Sequence, residues 1–454
     1  MKGYEDFAKT SQVNTYEELK ADIRRMRCGE ADVLWPGRVK WYAKSSGTTN
    51  DKSKFIPISR QNLYDTHYRG AEDTVALYLG NNLDSRMFSG KGLILGGSHA
   101  ANYGTTGLVG DLSAVLIEKA GPFVEHYRIP SKRIALLPDF EEKRERIARL
   151  ALKADVTNLS GVPSWMLSVL TRMMELSGKK YLREVWPNLE VFFHGGVAFT
   201  PYREQYVQLI DKADMHFMET YNASEGFFGL QDDPEDKALL LMIDYGVFYE
   251  FVPVDALGSA DEAAVPLWGV ETGKNYAVVI STSAGLWRYM IGDTVRFTQR
   301  NPYKFIITGR TKSFINAFGE ELIVDNAENG IKYACEMTGA LVKDYTAAPV
   351  YMDEKGQCRH QWVIEFSKKP DSIDAFARLL DKKLCSINSD YEAKRHKGIT
   401  LQQLEVIVAK TGLFDEWLKS KGKLGGQHKV PRLNNTRHFI DELIAMNANH
   451  AGNQ

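Results

Sequence analysis

Between about residues 90 and 230 the sequence repeats one unit: a short apolar run, a turn, then a stretch with helical spacing. Leu93–Leu95 leads into Gly96-Gly97, and Arg133–Leu137 leads into a charged helical stretch from Glu141 to Lys153. Pro163 opens a stretch carrying Met166, Leu167, Leu170, Met173 and Met174 on one side, and Gly178 closes it. Proline at the first helical position and glycine past the last are the expected punctuation. Val191–Phe193 leads into His194-Gly195-Gly196, and Thr200-Pro201 opens the next helix. His216–Met218 leads into Tyr221-Asn222-Ala223-Ser224-Glu225. Parallel strands need a crossover between them, so this repetition predicts an α/β layer with a largely parallel sheet.

Other stretches follow different rules. Thr15 and Glu18 have capping-box spacing ahead of Leu19, Ile23 and Met26, which predicts an early helix. From about 240 to 316 the runs Val247–Pro253, Tyr276–Thr282, Trp287–Ile291, Thr294–Thr298 and Lys304–Thr308 are separated by turn residues. That pattern predicts an antiparallel sheet or half-barrel. After Phe318 a helix from Asn326 to Met337, strands near Ala347–Met352 and Gln361–Phe366, and an amphipathic helix from Asp371 to Ser386 make a small α+β unit.

Composition excludes more than it selects. Lys plus Arg is 57 and Asp plus Glu is 58, so the balance of −1 supports neither a nucleic-acid coat nor a polybasic membrane anchor. No apolar run approaches a membrane span, the N-terminus lacks an apolar signal core, and a cytoplasmic protein is expected. The four cysteines form no C-x-x-C pair and no zinc spacing. The loops G-x-x-x-x-G-K-[ST] and G-x-G-x-x-G and the motifs G-x-S-x-G and H-E-x-x-H are all absent.

Five segments carry chemistry. Ser45-Ser46-Gly47-Thr48-Thr49 surrounds a glycine with hydroxyls and Lys54 follows, so backbone N–H groups, hydroxyls and a point charge can meet phosphate oxygens. An ordinary polar turn accounts equally well for that string in isolation. Glu225 follows a strand, where a carboxylate can serve Mg²⁺, which takes oxygen ligands; a solvated loop glutamate is the plainer reading. Gly292-Asp293 joins two expected strands and reads as a turn, or as an acceptor for vicinal ribose hydroxyls. Arg310 ends the next strand and can reach the same sugar or a phosphate. Lys429, in a glycine-flanked loop, is either a surface lysine or one that swings into a site on another domain. Gly96-Gly97-Ser98-His99 and Gly161-Val162-Pro163-Ser164-Trp165 can line a pocket or simply pack.

In this order, the segments resemble those of adenylate-forming enzymes. The chain most resembles the Gretchen Hagen family of acyl acid amido synthetases, also called auxin-responsive promoter proteins, and within it a bacterial-type member. The resemblance rests on Ser45-Ser46-Gly47-Thr48-Thr49, Tyr221-Asn222-Ala223-Ser224-Glu225 and Arg288-Tyr289-Met290-Ile291-Gly292-Asp293, with Asp32–Gly37 and His428-Lys429-Val430-Pro431-Arg432 in support. It implies an N-terminal adenylation domain over residues 1–318, with α/β sheets and an antiparallel β-barrel region. It also implies a mobile α+β lid over 319–454, hinged near 319–325. Helical sequence ahead of Gly3–Phe7 is usual in relatives, so the chain reads as truncated or naturally short.

By resemblance, ATP is held by Ser45, Ser46, Gly47, Thr48, Thr49 and Lys54, with Gly195, Gly196, Asn222, Ala223 and Ser224 lining its site. Tyr221 packs near the adenine, Glu225 helps hold Mg²⁺, Asp293 takes the ribose hydroxyls with Arg310 nearby, and Lys429 comes from the lid. Ser98, Tyr103, Val162, Ser164 and Trp165 border the acyl pocket. The implied reaction activates a carboxylic acid as its adenylate, with release of pyrophosphate, and passes the acyl group to an amine, that of an amino acid being the expected one. An acyl-CoA ligase and a non-catalytic nucleotide- or acid-binding relative are the alternatives. No nucleic acid or membrane partner is expected.

Overall fold

The computed structural model describes residues 3–46, 53–97, 107–197, 199–259, 262–311, 314–351, 358–396, 401–421 and 431–451. The chain forms two compact units: Met1–Ser45 with Phe55–Thr311, and Ser46–Lys54 with Lys312–Gln454. The division falls just ahead of Phe318.

The first unit is organised by a twelve-stranded sheet. One side of it is parallel: Arg128–Ile129, Lys91–Ile94, Val156–Gly161, Val191–Gly195 and His216–Ala223 lie in that spatial order. The helices Phe140–Ala151, Pro163–Ser177 and Thr200–Ile210 alternate with these strands. Gly178 adopts the left-handed conformation that ends the helix Pro163–Ser177 (φ 65°). The run 133–137 is not a strand: Lys132–Ala135 is helical, and the edge strand is the short Arg128–Ile129 before it.

The other side is antiparallel, in the order Gly226–Leu230, Leu239–Leu241, Tyr303–Arg310, Tyr289–Arg300, Asn275–Thr282, Val247–Pro253 and Val265–Pro266. It continues the parallel sheet through the hairpin His216–Ala223 / Gly226–Leu230. Its buried face is rich in rings, among them Tyr249, Phe251, Tyr276, Phe297 and Phe305. The expected turn at Gly292-Asp293 is absent. Tyr289–Arg300 is one strand, and its pairing with Asn275–Thr282 shifts register around that dipeptide, with Gly292 at φ 97°. A positive φ inside a strand marks an irregularity that redirects the next side chain.

Arg288, in the same motif, is buried and structural. Its guanidinium meets both oxygens of the buried Glu250 carboxylate at 2.9 Å and donates to the carbonyls of Ala8 and Ser11 at 2.9 and 2.5 Å. Tyr4 donates to the same carboxylate at 2.9 Å, so the first helix is tied down. The helix predicted after Thr15 spans Tyr16–Arg27, and the Thr15 N–H donates to Glu18 at 2.7 Å.

The second unit pairs Leu341–Val350 with Arg359–Lys368 and adds Glu405–Val408 in parallel. The helices Val324–Thr338 and Ile373–Ile387 pack together. Within this unit Glu320 is fully buried, accepts from the Phe318 N–H at 2.6 Å and lies 2.8 Å from Nε2 of His360, so the segment read as a hinge is internally tied. Among the described residues, no helix is long and apolar enough to cross a membrane.

Candidate functional site

In an open parallel sheet, the carboxyl ends of the strands point at one edge, and ligands bind there. Three neighbouring strands end at this edge with Gly161-Val162, Gly195-Gly196 and Tyr221–Ala223. Gly195 lies opposite Thr220, and a Cβ on it would stand 2.4 Å from the Thr220 carbonyl oxygen. Only glycine allows that approach. Gly196 is exposed, and a Cβ built on it would meet the Val162 side chain at 3.4 Å. Trp165 is half-buried, whereas its neighbour Met166 is core.

The motif 221–225 does not follow the strand as expected. The strand runs on through Ala223, and Ser224 and Glu225 form the tight turn into Gly226–Leu230. This hairpin is the seam between the parallel and antiparallel sides. Tyr221 is 8% exposed, with its ring centroid 5.0 Å from Phe228 and 6.1 Å from Phe305. Its ring belongs largely to the core; its hydroxyl donates to Oδ2 of Asp293 at 2.5 Å. Arg310, cross-strand partner of Asp293, donates from Nε to Oδ1 at 2.7 Å. The seam thus brings Tyr221, Asp293 and Arg310 together from two distant stretches of sequence.

Both Asp293 oxygens are engaged, but a carboxylate has about four lone-pair positions, so two remain for a ligand. Burial, reinforced by the Asp293 carboxylate, pushes the Tyr221 phenol far above its ordinary range, which keeps it a donor. Glu225 is 9% exposed at the seam turn. Among the described residues, no group of three or more His, Cys, Asp or Glu could hold a metal unaided. A single carboxylate is the donor set Mg²⁺ uses when phosphates and water complete its shell.

Two residues at this edge escaped sequence reading. Lys143 is 6% exposed and donates from Nζ to the carbonyls of Gly96 and Gly97 at 2.6 and 3.1 Å. It looks like one more charge in the run 141–146, yet it leads the buried stripe Lys143, Ile147, Ala151, and that spacing was the available signal. His67 lies on the π-helical turn Asn62–Tyr68, with Nδ1 3.1 Å from Oδ1 of Asn222. No spacing marked it.

The strand Trp41–Ser46 ends at Ser45-Ser46, and the partly exposed Lys54 belongs to Ser53–Ile58. Gly47, Thr48, Thr49, Ser98, Tyr103 and Lys429 lie outside the described residues, as does the Ser164 side chain.

Three family models match the chain: GH3 family N-terminal domain over residues 1–215, GH3 family central domain over 240–310, and GH3 family C-terminal domain over 325–438. Indole-3-acetic acid-amido synthetase GH3.4 of Arabidopsis thaliana is 28% identical over 311 residues, covering 62% of this chain and 50% of the relative. Indole-3-acetic acid-amido synthetase GH3.15 of the same plant is 22% identical over 516 residues, covering 94% of this chain and 85% of the relative. The solved GH3.15 acyl acid amido synthetase has a TM-score of 0.58 at 19% identity, covering 98% of this chain and 88% of that one, a likeness of fold. The chain spans about half the length of the first curated relatives it matches.

Proposed function

The chain belongs to the GH3 family, and from that premise we propose that it is an ATP-dependent acyl acid amido synthetase. The observation that carries the reading is the cluster of Tyr221, Asp293 and Arg310 at the sheet seam, beside the glycine-lined carboxyl edge. A carboxylate is a poor electrophile because oxide is a bad leaving group. Attack of the acid oxygen on the α-phosphorus of ATP forms the acyl–AMP bond and breaks the bond to pyrophosphate. An amine then attacks the acyl carbon, AMP leaves, and the ammonium proton passes to solvent or base.

The residues' task is positioning and charge neutralisation. Asp293 offers its two remaining acceptor positions to the ribose hydroxyls, oriented by Tyr221 and Arg310. Gly195 lets its strand close on Thr220, and the exposed Gly196 beside it leaves backbone open to the ligand. Glu225 holds Mg²⁺, which neutralises phosphate charge when bound. Ser45, Ser46, Gly47, Thr48, Thr49, Lys54, Asn222, Ala223 and Ser224 serve the nucleotide, and Lys429 serves adenylation as part of the 319–454 lid. Val162, Ser164, Trp165, Ser98 and Tyr103 border the acid.

Pyrophosphate exchange with a panel of carboxylic acids tests the reading. Acid-dependent exchange is expected; nucleotide binding without exchange for any acid would favour a binding protein. Mass spectrometry of products, with amino acids and CoA offered together, should give amides, and thioesters alone would identify an acyl-CoA ligase. Glu225→Ala should cut exchange by roughly 100-fold or more. Normal exchange in that variant would remove Glu225 from its role.

A further inference from the structure

His67 is 1% exposed and is held 3.1 Å from Oδ1 of Asn222. An amide oxygen only accepts, so the imidazole proton is on Nδ1. Burial lowers the ring's pKa to about 4, so the ring is neutral near pH 7. Nε2 is then a lone-pair acceptor, buried and without a partner among the described residues. The segment that carries the ring is π-helical, a rare backbone form found frequently at functional sites.

Asn222 has a matching asymmetry. It lies between Tyr221, whose hydroxyl holds Asp293, and the seam turn with Glu225. Its amide oxygen is taken by His67. Its NH₂ has no acceptor among the described residues, and the residue is partly exposed. Released from His67, the amide can rotate by half a turn and present oxygen in place of NH₂. Against the oxygen- and nitrogen-rich surface of a nucleotide, that swap replaces attraction with repulsion between lone pairs.

We propose that His67 is a positioning residue: its Nδ1–H fixes the Asn222 carboxamide so that the amide NH₂ donates to an acceptor atom of the bound nucleotide. The inference rests on the adenylation reading above, but its test also has a binding arm. His67→Leu removes the donor. His67→Asn puts an amide N–H₂ close to where Nδ1–H stood. Calorimetry with ATP and pyrophosphate exchange are measured for both, for Asn222→Ala and for the double variant His67→Leu/Asn222→Ala.

The expected result is a loss of about tenfold in ATP affinity for His67→Leu, the worth of one hydrogen bond. Most of it should return in His67→Asn. In the Asn222→Ala background His67→Leu should add less than about twofold, because the pair acts as one. Equal losses in both backgrounds, or no recovery in His67→Asn, overturn the proposal. If His67→Leu does not fold, the imidazole ¹⁵N correlation of the wild-type protein decides. A proton on Nδ1 that loses its hydrogen-bonded shift in Asn222→Ala supports the proposal, and a proton on Nε2 overturns it. Exchange in the wild type without this coupling defeats the His67 role alone. ATP binding with the coupling but without exchange defeats the adenylation reading alone. No nucleotide binding defeats both.

Discussion

The two sides of the twelve-stranded sheet reach the seam by different means. The parallel side arrives end-on. Its strands stop at the edge, and what they present is backbone: Gly161, Gly195 and Gly196, with Lys143 tying down the Gly96 and Gly97 carbonyls. The antiparallel side passes through. Asp293 lies inside Tyr289–Arg300, aimed by the irregularity at Gly292, and its cross-strand partner Arg310 closes Tyr303–Arg310. A strand that ends at a ligand can offer its amides, whereas one that continues has spent them on neighbours and must offer side chains. Backbone fit and side-chain charge therefore come from different halves of one sheet.

That contrast can be broken by experiment. The largest effect is expected from Asp293→Asn, which leaves shape but removes the charge that Arg310 and Tyr221 hold. Pyrophosphate exchange should fall by roughly 10³-fold, with a small change in melting temperature. A loss under tenfold would mean that the antiparallel side is only a support.

Acid should loosen the two places where a neutral histidine is buried: the strand Val191–Gly195, and the turn Asn62–Tyr68, which packs against Gly226–Leu230. Burial lowers the pKa of His67 to about 4, and burial with the Arg203 charge lowers that of His194 to about 3. Unfolded histidine titrates near 6.5. Between these values the unfolded chain binds more protons, so stability is full above about pH 6.5 and falls as pH drops toward 4. By pH 5 each ring should contribute a loss of about 2 kcal/mol. Residues 240–310 contain no histidine. Hydrogen exchange at pH 7 and pH 5 should show protection lost around 62–68 and 191–195 first; earlier loss in 275–310 would mean that the buried histidines do not set the acid response.

Gly195→Ala tests backbone fit directly. Its Cβ would press on the Thr220 carbonyl, a backbone atom that cannot swing away. A cost of about 1–3 kcal/mol and weaker nucleotide binding are expected. A melt and a titration unchanged from wild type would show that the edge can yield. Lys143→Met should have the smallest effect, about 1–2 kcal/mol, by leaving two buried carbonyls without their charged donor. Unaltered stability would mean that water replaces Nζ.

Much of this was legible because it is local. The cap at Thr15, the helix from Pro163 to Gly178, and the alternation from 90 to 230 depend on neighbours in sequence. The seam was harder. The expected strand at His216–Met218 ended too early because polar Tyr221-Asn222 looked like loop, although cross-strand bonds to Gly226–Leu230 keep it extended. Gly292-Asp293 looked like a turn because Gly-Asp is a common turn pair; only the pairing partners reveal a bulge. The motif order did indicate Asp293 and Arg310 as a pair, while His67 and Asn222 meet from 155 positions apart with nothing in either segment to announce it.

The sheet order also has a consequence during synthesis. Leu239–Leu241 hydrogen-bonds to Tyr303–Arg310, more than 60 residues downstream. At 5–20 residues per second the ribosome takes roughly 3–12 s to supply that partner. Until then Leu239–Leu241, paired on its other side with Gly226–Leu230, is a raw edge of unpaired backbone, the kind that recruits other chains. A wait of similar length separates Lys91–Ile94 from Val156–Gly161, so a nascent chain stalled between residues 241 and 303 should be one of the forms most in need of a chaperone.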